Sequence, residues 1–302
     1  MAELPRIISK LIGIFEKNYH TSGNVWGVEL RTPQISEQEP SSESKILIIS
    51  TKEIAIRAIK EIIFEFLIRR NAEFLDADIL VSNELKELIR SNIDERLGRY
   101  VDIIKGLSRL AKSRSGIDFV FIDYSLAPEL LHFSPDTHRS LIQPVLEKIS
   151  ALSNQELLVY DPLEYLTLKT YEKQIGKQVF HILEKVSING KQPLGNYIVK
   201  EPCIVTRRFN TNLRKYLDSM FTDLVFHPLS GNLVPCCGEF MWITSPKIAL
   251  NNAKEILKML SHYSRKILTL CPSANFIFSV AQRFYEELRD IEIKDLIGAV
   301  AT

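Results

Sequence analysis

The chain has 302 residues, 45% of them apolar and 25% charged, with a formal net charge of +1. That length suggests one large or two medium domains with ordinary globular composition. A charge so near balance gives no electrostatic reason to expect nucleic acid or an anionic membrane as the main partner, and no stretch approaches the roughly 18 uninterrupted apolar residues of a spanning helix.

Residues 1–17 are amphipathic, contain Glu3 and Glu16, and lack the small-residue cleavage site of a secretory leader, so the cytoplasm is the expected compartment. Residues 6–18 read as a helix, with Ile7, Ile8, Leu11, Ile12 and Phe15 on one stripe. Residues 32–45 are polar, contain two prolines, and read as a linker.

Strand and helix patterns then alternate. Lys45–Ser50 is a strand, and Ile54–Arg69 has helical spacing without glycine or proline. Ala77–Val81 reads as a second strand, Glu84–Ser113 as a helix, Asp118–Asp123 as a strand, His138–Leu152 as a helix and Gln155–Tyr160 as a strand. The order then returns: a strand at Asn196–Lys200, a helix at Asn212–Phe221, a strand at Thr222–His227 and a helix at Pro246–Tyr263. Lys266–Leu270 reads as a strand, Ser279–Leu288 as a helix and Ile291–Lys294 as a short closing strand. Apolar strands between amphipathic helices predict parallel sheets covered on both faces. The expected fold is therefore α/β, with two similar Rossmann-like lobes forming a pseudo-repeat. The expected divisions are an N-terminal helix and linker (1–44), a first lobe (45–195) and a second lobe (196–302). The repeat is read by aligning Asp118–Asp123, followed by Tyr124, with Lys266–Leu270, followed by Cys271.

Four cysteines occur, all after residue 200: Cys203, Cys236, Cys237 and Cys271. Their contexts are EPC, VPCCGE and LCPSA, with 32 residues between Cys203 and Cys236 and 33 between Cys237 and Cys271. Each falls just after an expected strand or in a turn-rich segment. In a parallel sheet the loops at the carboxyl ends of the strands converge, so three such loops bring four thiols to one edge. Iron–sulfur clusters need thiolates on short loops with N–H groups nearby. Prolines before Cys203 and Cys236 restrict the local backbone, and Gly238 lets the chain pass close to a bulky group. The competing readings are four buried thiols acting as small apolar groups, and a four-thiolate zinc site. Adjacent cysteines and the absence of close-spaced Cys-x-x-Cys pairs weigh against zinc.

The run from Lys200 onward resembles the cysteine-rich CCG domain of heterodisulfide reductase B-type subunits and related oxidoreductase subunits. The carrying residues are Glu201-Pro202-Cys203, Cys236-Cys237-Gly238 and Cys271-Pro272-Ser273-Ala274. The resemblance implies an iron–sulfur cluster held by the four cysteines, either a 4Fe–4S cubane or a non-cubane variant. It also implies electron transfer and thiol/disulfide chemistry on small thiols or protein-bound sulfur. The implied partners are a ferredoxin-like iron–sulfur subunit and a flavoprotein subunit. The chain departs from the pattern at Ala274, where the family has its last cysteine, so the cluster type stays open. His227, Glu239 and His262 are non-cysteine candidates by nearness in sequence. The resemblance extends over about residues 45–298 and implies a first lobe that has kept the fold and lost its cysteines. Ser50 or Thr51 then stands for the first ligand, Ser82 and Asn83 for the adjacent pair, and Tyr124 for the last. A non-catalytic subunit of such a complex is the alternative. Trp242, four residues past Gly238, is placed to shield a cluster.

Overall fold

The computed structural model describes residues 3–28, 45–112, 117–122, 125–186, 191 and 193–300. Helix α1 (Glu3–Ser22) precedes the first lobe. The first lobe runs β1 (Lys45–Ser50), α2 (Thr51–Arg69), α3 (Ala77–Val81), α4 (Asn83–Lys112), β2 (Ile117–Ile122), α5 (Pro128–Phe133), α6 (Pro135–Ser150), β3 (Glu156–Val159), α7 (Pro162–Thr170), α8 (Glu172–Ile175) and β4 (Gln178–His181). The second lobe runs β5 (Ile198–Lys200), α9 (Leu213–Met220), β6 (Val225–Phe226), α10 (Met241–Thr244), α11 (Pro246–Ser261), β7 (Lys266–Thr269), α12 (Pro272–Phe284), β8 (Glu292–Asp295) and α13 (Leu296–Val300).

Each lobe contains a four-stranded, wholly parallel sheet, and the orders are the same: β2-β1-β3-β4 and β6-β5-β7-β8. The fold is thus α/β with two Rossmann-like lobes. The central strands bury their side chains on both faces, as Ile46, Leu47 and Ile48 do in β1 and Ile267 and Leu268 in β7. That double burial is why they read as continuous apolar runs rather than alternating ones.

Helix α2 begins where Ser50, its N-cap, accepts the Glu53 amide at 3.1 Å. Every residue from Ile54 to Leu67 is buried, Arg57, Lys60 and Glu61 among them. A helix buried on every side must be enclosed by its neighbours, and α2 packs on α4 of its own lobe and on α12 and α11 of the other. Glu61, fully buried on α2, accepts Arg99 at 2.7 Å and Tyr100 at 3.0 Å from α4, and pairs with Arg283 of α12. The lobes are therefore joined by a charged latch as well as by packing.

The structure corrects several expected elements. Ala77–Val81 is a helix, because Asp76 caps it by accepting the Ile79 amide at 2.7 Å and only Ala77 and Leu80 are buried. The last long helix starts at Pro272 rather than Ser279, and its stretch 286–288 is a separate 3-10 turn. Strand β4 and helix α7 had no counterpart in the expected elements. The expected linker, apart from Lys45, lies outside the described residues, as do Asp123 and Tyr124. Among the described residues no helix is long and apolar enough to cross a membrane.

Candidate functional site

The carboxyl edge of the second sheet carries all four cysteines. Cys203 follows β5 and opens a π-turn at Ile204–Arg208. Cys271 follows β7 as the N-cap residue of α12, with Pro272 at the first helical position. Cys236 and Cys237 lie between β6 and α10. Gly238 holds φ at 101°, a conformation that L side chains rarely adopt, so the bend after the pair demands glycine for its backbone.

Cys203 and Cys236 are partly exposed, Cys237 and Cys271 are buried, and all four are free thiols. The sulfurs of Cys203 and Cys237 both donate to Cys236, which also accepts the Gly238 amide at 3.5 Å. Those contacts hold Cys236 at about 2, the Cys203 thiol contributing most, with Lys200 assisting and burial opposing. The same contacts, followed by burial, push Cys203 and Cys237 upward. Burial and then the charge of Asp161 raise Cys271 to about 12, against the Ala274 amide and Lys200. Three of the four sulfurs thus meet at Cys236, with the buried Lys200 as nearby cation. Among the described residues no group of three or more His, Cys, Asp or Glu side chains is arranged to hold a metal ion. As they stand, three of the sulfurs bond to one another, and binding iron would replace those S–H···S contacts with iron–thiolate bonds.

The donor set suits an iron–sulfur cluster in kind: four thiols on three loops, backbone amides directed at two of the sulfurs, and a buried cation. Ala274 is 1% exposed inside α12 and offers no ligand. The non-cysteine candidates are engaged elsewhere. Glu239 is buried against Lys60 at 2.9 Å, and the His227 ring accepts the Leu229 amide at 2.9 Å. His262 is exposed and bonds the Lys258 carbonyl at 2.7 Å. Trp242 is fully buried and stacks on Trp26 at 5.5 Å, between Phe64 and Phe276, so its packing ties α10 to the N-terminal segment and α2.

The first lobe shows what stands in the matching places. Ile46 pairs with Leu157 in one sheet and Ile198 with Ile267 in the other. Stepping out from these pairs puts Thr51 opposite Cys203 and Asp161 opposite Cys271. Both Asp161 and Cys271 are N-cap residues followed by proline. Ser125-Leu126-Ala127 matches Cys236-Cys237-Gly238. Ala127 and Gly238 both have positive φ, and their amides bond the Ser125 Oγ at 3.0 Å and the Cys236 Sγ at 3.5 Å. Beyond them, Ser134 and Ser245 share φ near −150°, and each precedes a 16-residue helix that begins with proline. The expected alignment was thus one strand out of step. Asp161, not Tyr124, answers to Cys271, and Ser125-Leu126, not Ser82-Asn83, answers to the cysteine pair.

The Glu53 carboxylate fills this first-lobe site. It accepts the Leu126 amide at 2.8 Å, the Ala127 amide at 3.1 Å and the Ser125 hydroxyl. Around it lie Arg57, paired to Asp161 at 2.8 Å, and Lys60, paired to Glu129 and Glu239. Five buried carboxyl groups (Glu53, Glu129, Asp161, Glu164 and Glu239) thus face two buried cations. Burial, then repulsion among the acids, pushes Glu53 and Glu164 upward, and burial raises Glu239. Sequence reasoning missed this cluster. Its signal was available in the two cations three residues apart within the isoleucine-rich run of α2, and in the parallel between YDP at 160–162 and LCP at 270–272.

The chain was compared with family models, with curated proteins and with solved structures, and none of them matches it.

Proposed function

We propose that the chain is an iron–sulfur subunit of a heterodisulfide reductase-like complex, held in the cytoplasm and working in electron transfer and thiol/disulfide redox chemistry. The observation that carries this reading is the approach of three cysteine-bearing loops: the Cys236 sulfur takes S–H donors from Cys203 and Cys237, and Cys271 lies within electrostatic reach of both donors. Cys203, Cys236, Cys237 and Cys271 would hold the cluster, which when bound supplies one-electron chemistry and a thiophilic iron centre. The chain's own part is to supply thiolates, to offset their charge with Lys200, and to direct the Gly238 and Ala274 amides at sulfur.

Partial exposure of Cys203 and Cys236 leaves a face for a sulfur substrate, whereas Cys237 and Cys271 are closed off by the core. The partners in this reading are a ferredoxin-like iron–sulfur subunit and a flavoprotein subunit. The filled first-lobe site favours a second reading, a non-catalytic subunit whose single cluster relays electrons. Serine replacement of each cysteine in turn, followed by iron analysis on protein purified without air, tests the ligand assignment. Each variant is expected to lose iron; full retention in all four would remove the reading. Spin resonance of the reduced wild type, with and without a small disulfide, separates a substrate-binding centre from a relay: only the former changes its signal.

A further inference from the structure

A cleft of about 440 Å³ lies between α4 of the first lobe and the α12, β8 and α13 side of the second. Arg99, Lys105, Arg109 and Lys294 line it, together with Asn275 and Asp295. Asp295 ends β8 and is 6% exposed. One of its oxygens accepts the Tyr160 hydroxyl at 2.6 Å and the Ile297 amide at 2.9 Å; the other faces the Asn275 amide group at 3.4 Å. Tyr160 comes from the other lobe, one residue before Asp161, and is buried within electrostatic reach of Asp161 and Cys271. The Asn275 backbone amide in turn bonds the Cys271 carbonyl at 3.2 Å. A carboxyl group on the cleft is thereby joined to the Cys271 loop through Asn275 in the first turn of α12, and it holds a buried phenol that lies within electrostatic reach of Cys271.

The charged groups facing Asp295 are Asp161 and Tyr160 from the first lobe, Arg99, Asp102, Lys105 and Arg109 from α4, and Lys294 beside it on β8. Burial raises Asp295 to about 7, against bonds from Tyr160, Ile297 and Gly298. The equivalent position in the first lobe is His181, which ends β4 and, like Asp295, caps the helical turn that follows.

We propose that Asp295 is the proton acceptor coupled to reduction of the cysteine-held centre, with Tyr160 as its positioning residue and the cleft as its path to water. This rests on the iron–sulfur reading above. A reduced one-electron carrier delivers an electron to the centre, adding one negative charge near Cys271. The Asp295 carboxylate takes one proton from water in the cleft and becomes the neutral acid. Reoxidation returns the electron to an oxidised carrier and the proton to the cleft.

The test is a redox titration of the anaerobically purified protein with dithionite and ferricyanide at several pH values, followed by spin resonance. Above about pH 7 the wild-type midpoint is expected to fall by about 59 mV per pH unit, the tenfold-per-unit dependence of a one-electron, one-proton couple. Asp295→Asn, at equal iron content, is expected to give a flat potential, and Asp295→Glu to restore the slope. Should Asp295→Asn fail to fold, Tyr160→Phe serves: losing the phenol donor favours the protonated acid and moves the onset of the slope to higher pH. A flat wild-type potential, or a slope retained in Asp295→Asn, overturns the coupling while leaving the centre in place. Protein with no iron and no reducible signal overturns the cysteine reading, and the coupling with it.

Discussion

At the carboxyl edge of the first sheet the loops close on a carboxylate; at the same edge of the second they close on four sulfurs. One turn is alike in both. Ala127 and Gly238 turn the chain with positive φ, and their amides point at the Ser125 oxygen and the Cys236 sulfur. A strand-end loop of this kind presents N–H groups to any anion, whether a side chain of the chain itself or sulfur. What decides the occupant is the neighbouring helix. In the first lobe α2 brings Glu53 into the loop and Arg57 and Lys60 behind it, so the site is complete from within. In the second, Cys203 opens a single π-turn, and the Gly238 amide of the loop bonds the Cys236 sulfur. Lobe one thus holds a buried charge cluster, whereas in lobe two Cys203 and Cys236 stay partly exposed.

The comparison can be broken most severely at Arg57. Arg57→Ala leaves Asp161 buried without its cation, while Glu239 keeps Lys60, and removing one partner of a buried pair costs about 3–5 kcal/mol. Chemical denaturation should show a loss of that size; a change under about 1 kcal/mol would mean that the cluster does not brace the first lobe. Glu53→Ala removes the acceptor of two buried amides and a hydroxyl, for an expected loss of about 2–3 kcal/mol. Glu53→Gln, which keeps an acceptor oxygen, should lose clearly less. Equal losses would show that the site needs charge rather than an acceptor.

The paired strand ends His181 and Asp295 should respond to pH with opposite signs. Burial holds His181 at about 4, so between about pH 6.5 and 4 the unfolded chain binds the extra proton and acid removes stability. Burial raises Asp295 to about 7, so between about pH 4 and 7 the folded chain binds the extra proton and rising pH removes stability. Melting curves should therefore show His181→Gln less acid-sensitive than wild type and Asp295→Asn less sensitive to alkali across that window. The same direction of change in both variants would contradict the assignment. The smallest effect is expected at Ala127, where a left-handed residue with a side chain costs about 1–2 kcal/mol. Ala127→Gly should stabilise by up to about 1 kcal/mol once the chain entropy of glycine is counted. A loss would mean that the turn depends on the Ala127 methyl.

Much of this division was legible in the sequence. The apolar runs at 45–50 and 266–270 predicted parallel strands, and the position of the cysteines after strands placed them on one edge. The strand order of each lobe was not legible, because it is fixed by pairing between distant segments rather than by local pattern. That is how Asp118–Asp123 came to be matched with the wrong strand. Ala77–Val81 has the composition of a strand, but Asp76 caps it as a helix and its two buried residues are three apart. The Glu53 plug was hidden for a related reason: its partners Leu126 and Ala127 lie more than 70 residues away. Asp161-Pro162 was visible, and its likeness to Cys271-Pro272 would have set the register.

The measurement that bears most directly on the contrast between the lobes is iron and acid-labile sulfide per chain in protein purified without air. One centre in the second lobe and none in the first requires about four of each if the cluster is a 4Fe–4S cubane, falling towards zero in Cys236→Ser and unchanged in Ser125→Ala. Iron and sulfide near twice that content, or lost in Ser125→Ala, would contradict a plugged first lobe. Zinc without sulfide, or no metal in the wild type, would contradict an iron–sulfur site in the second.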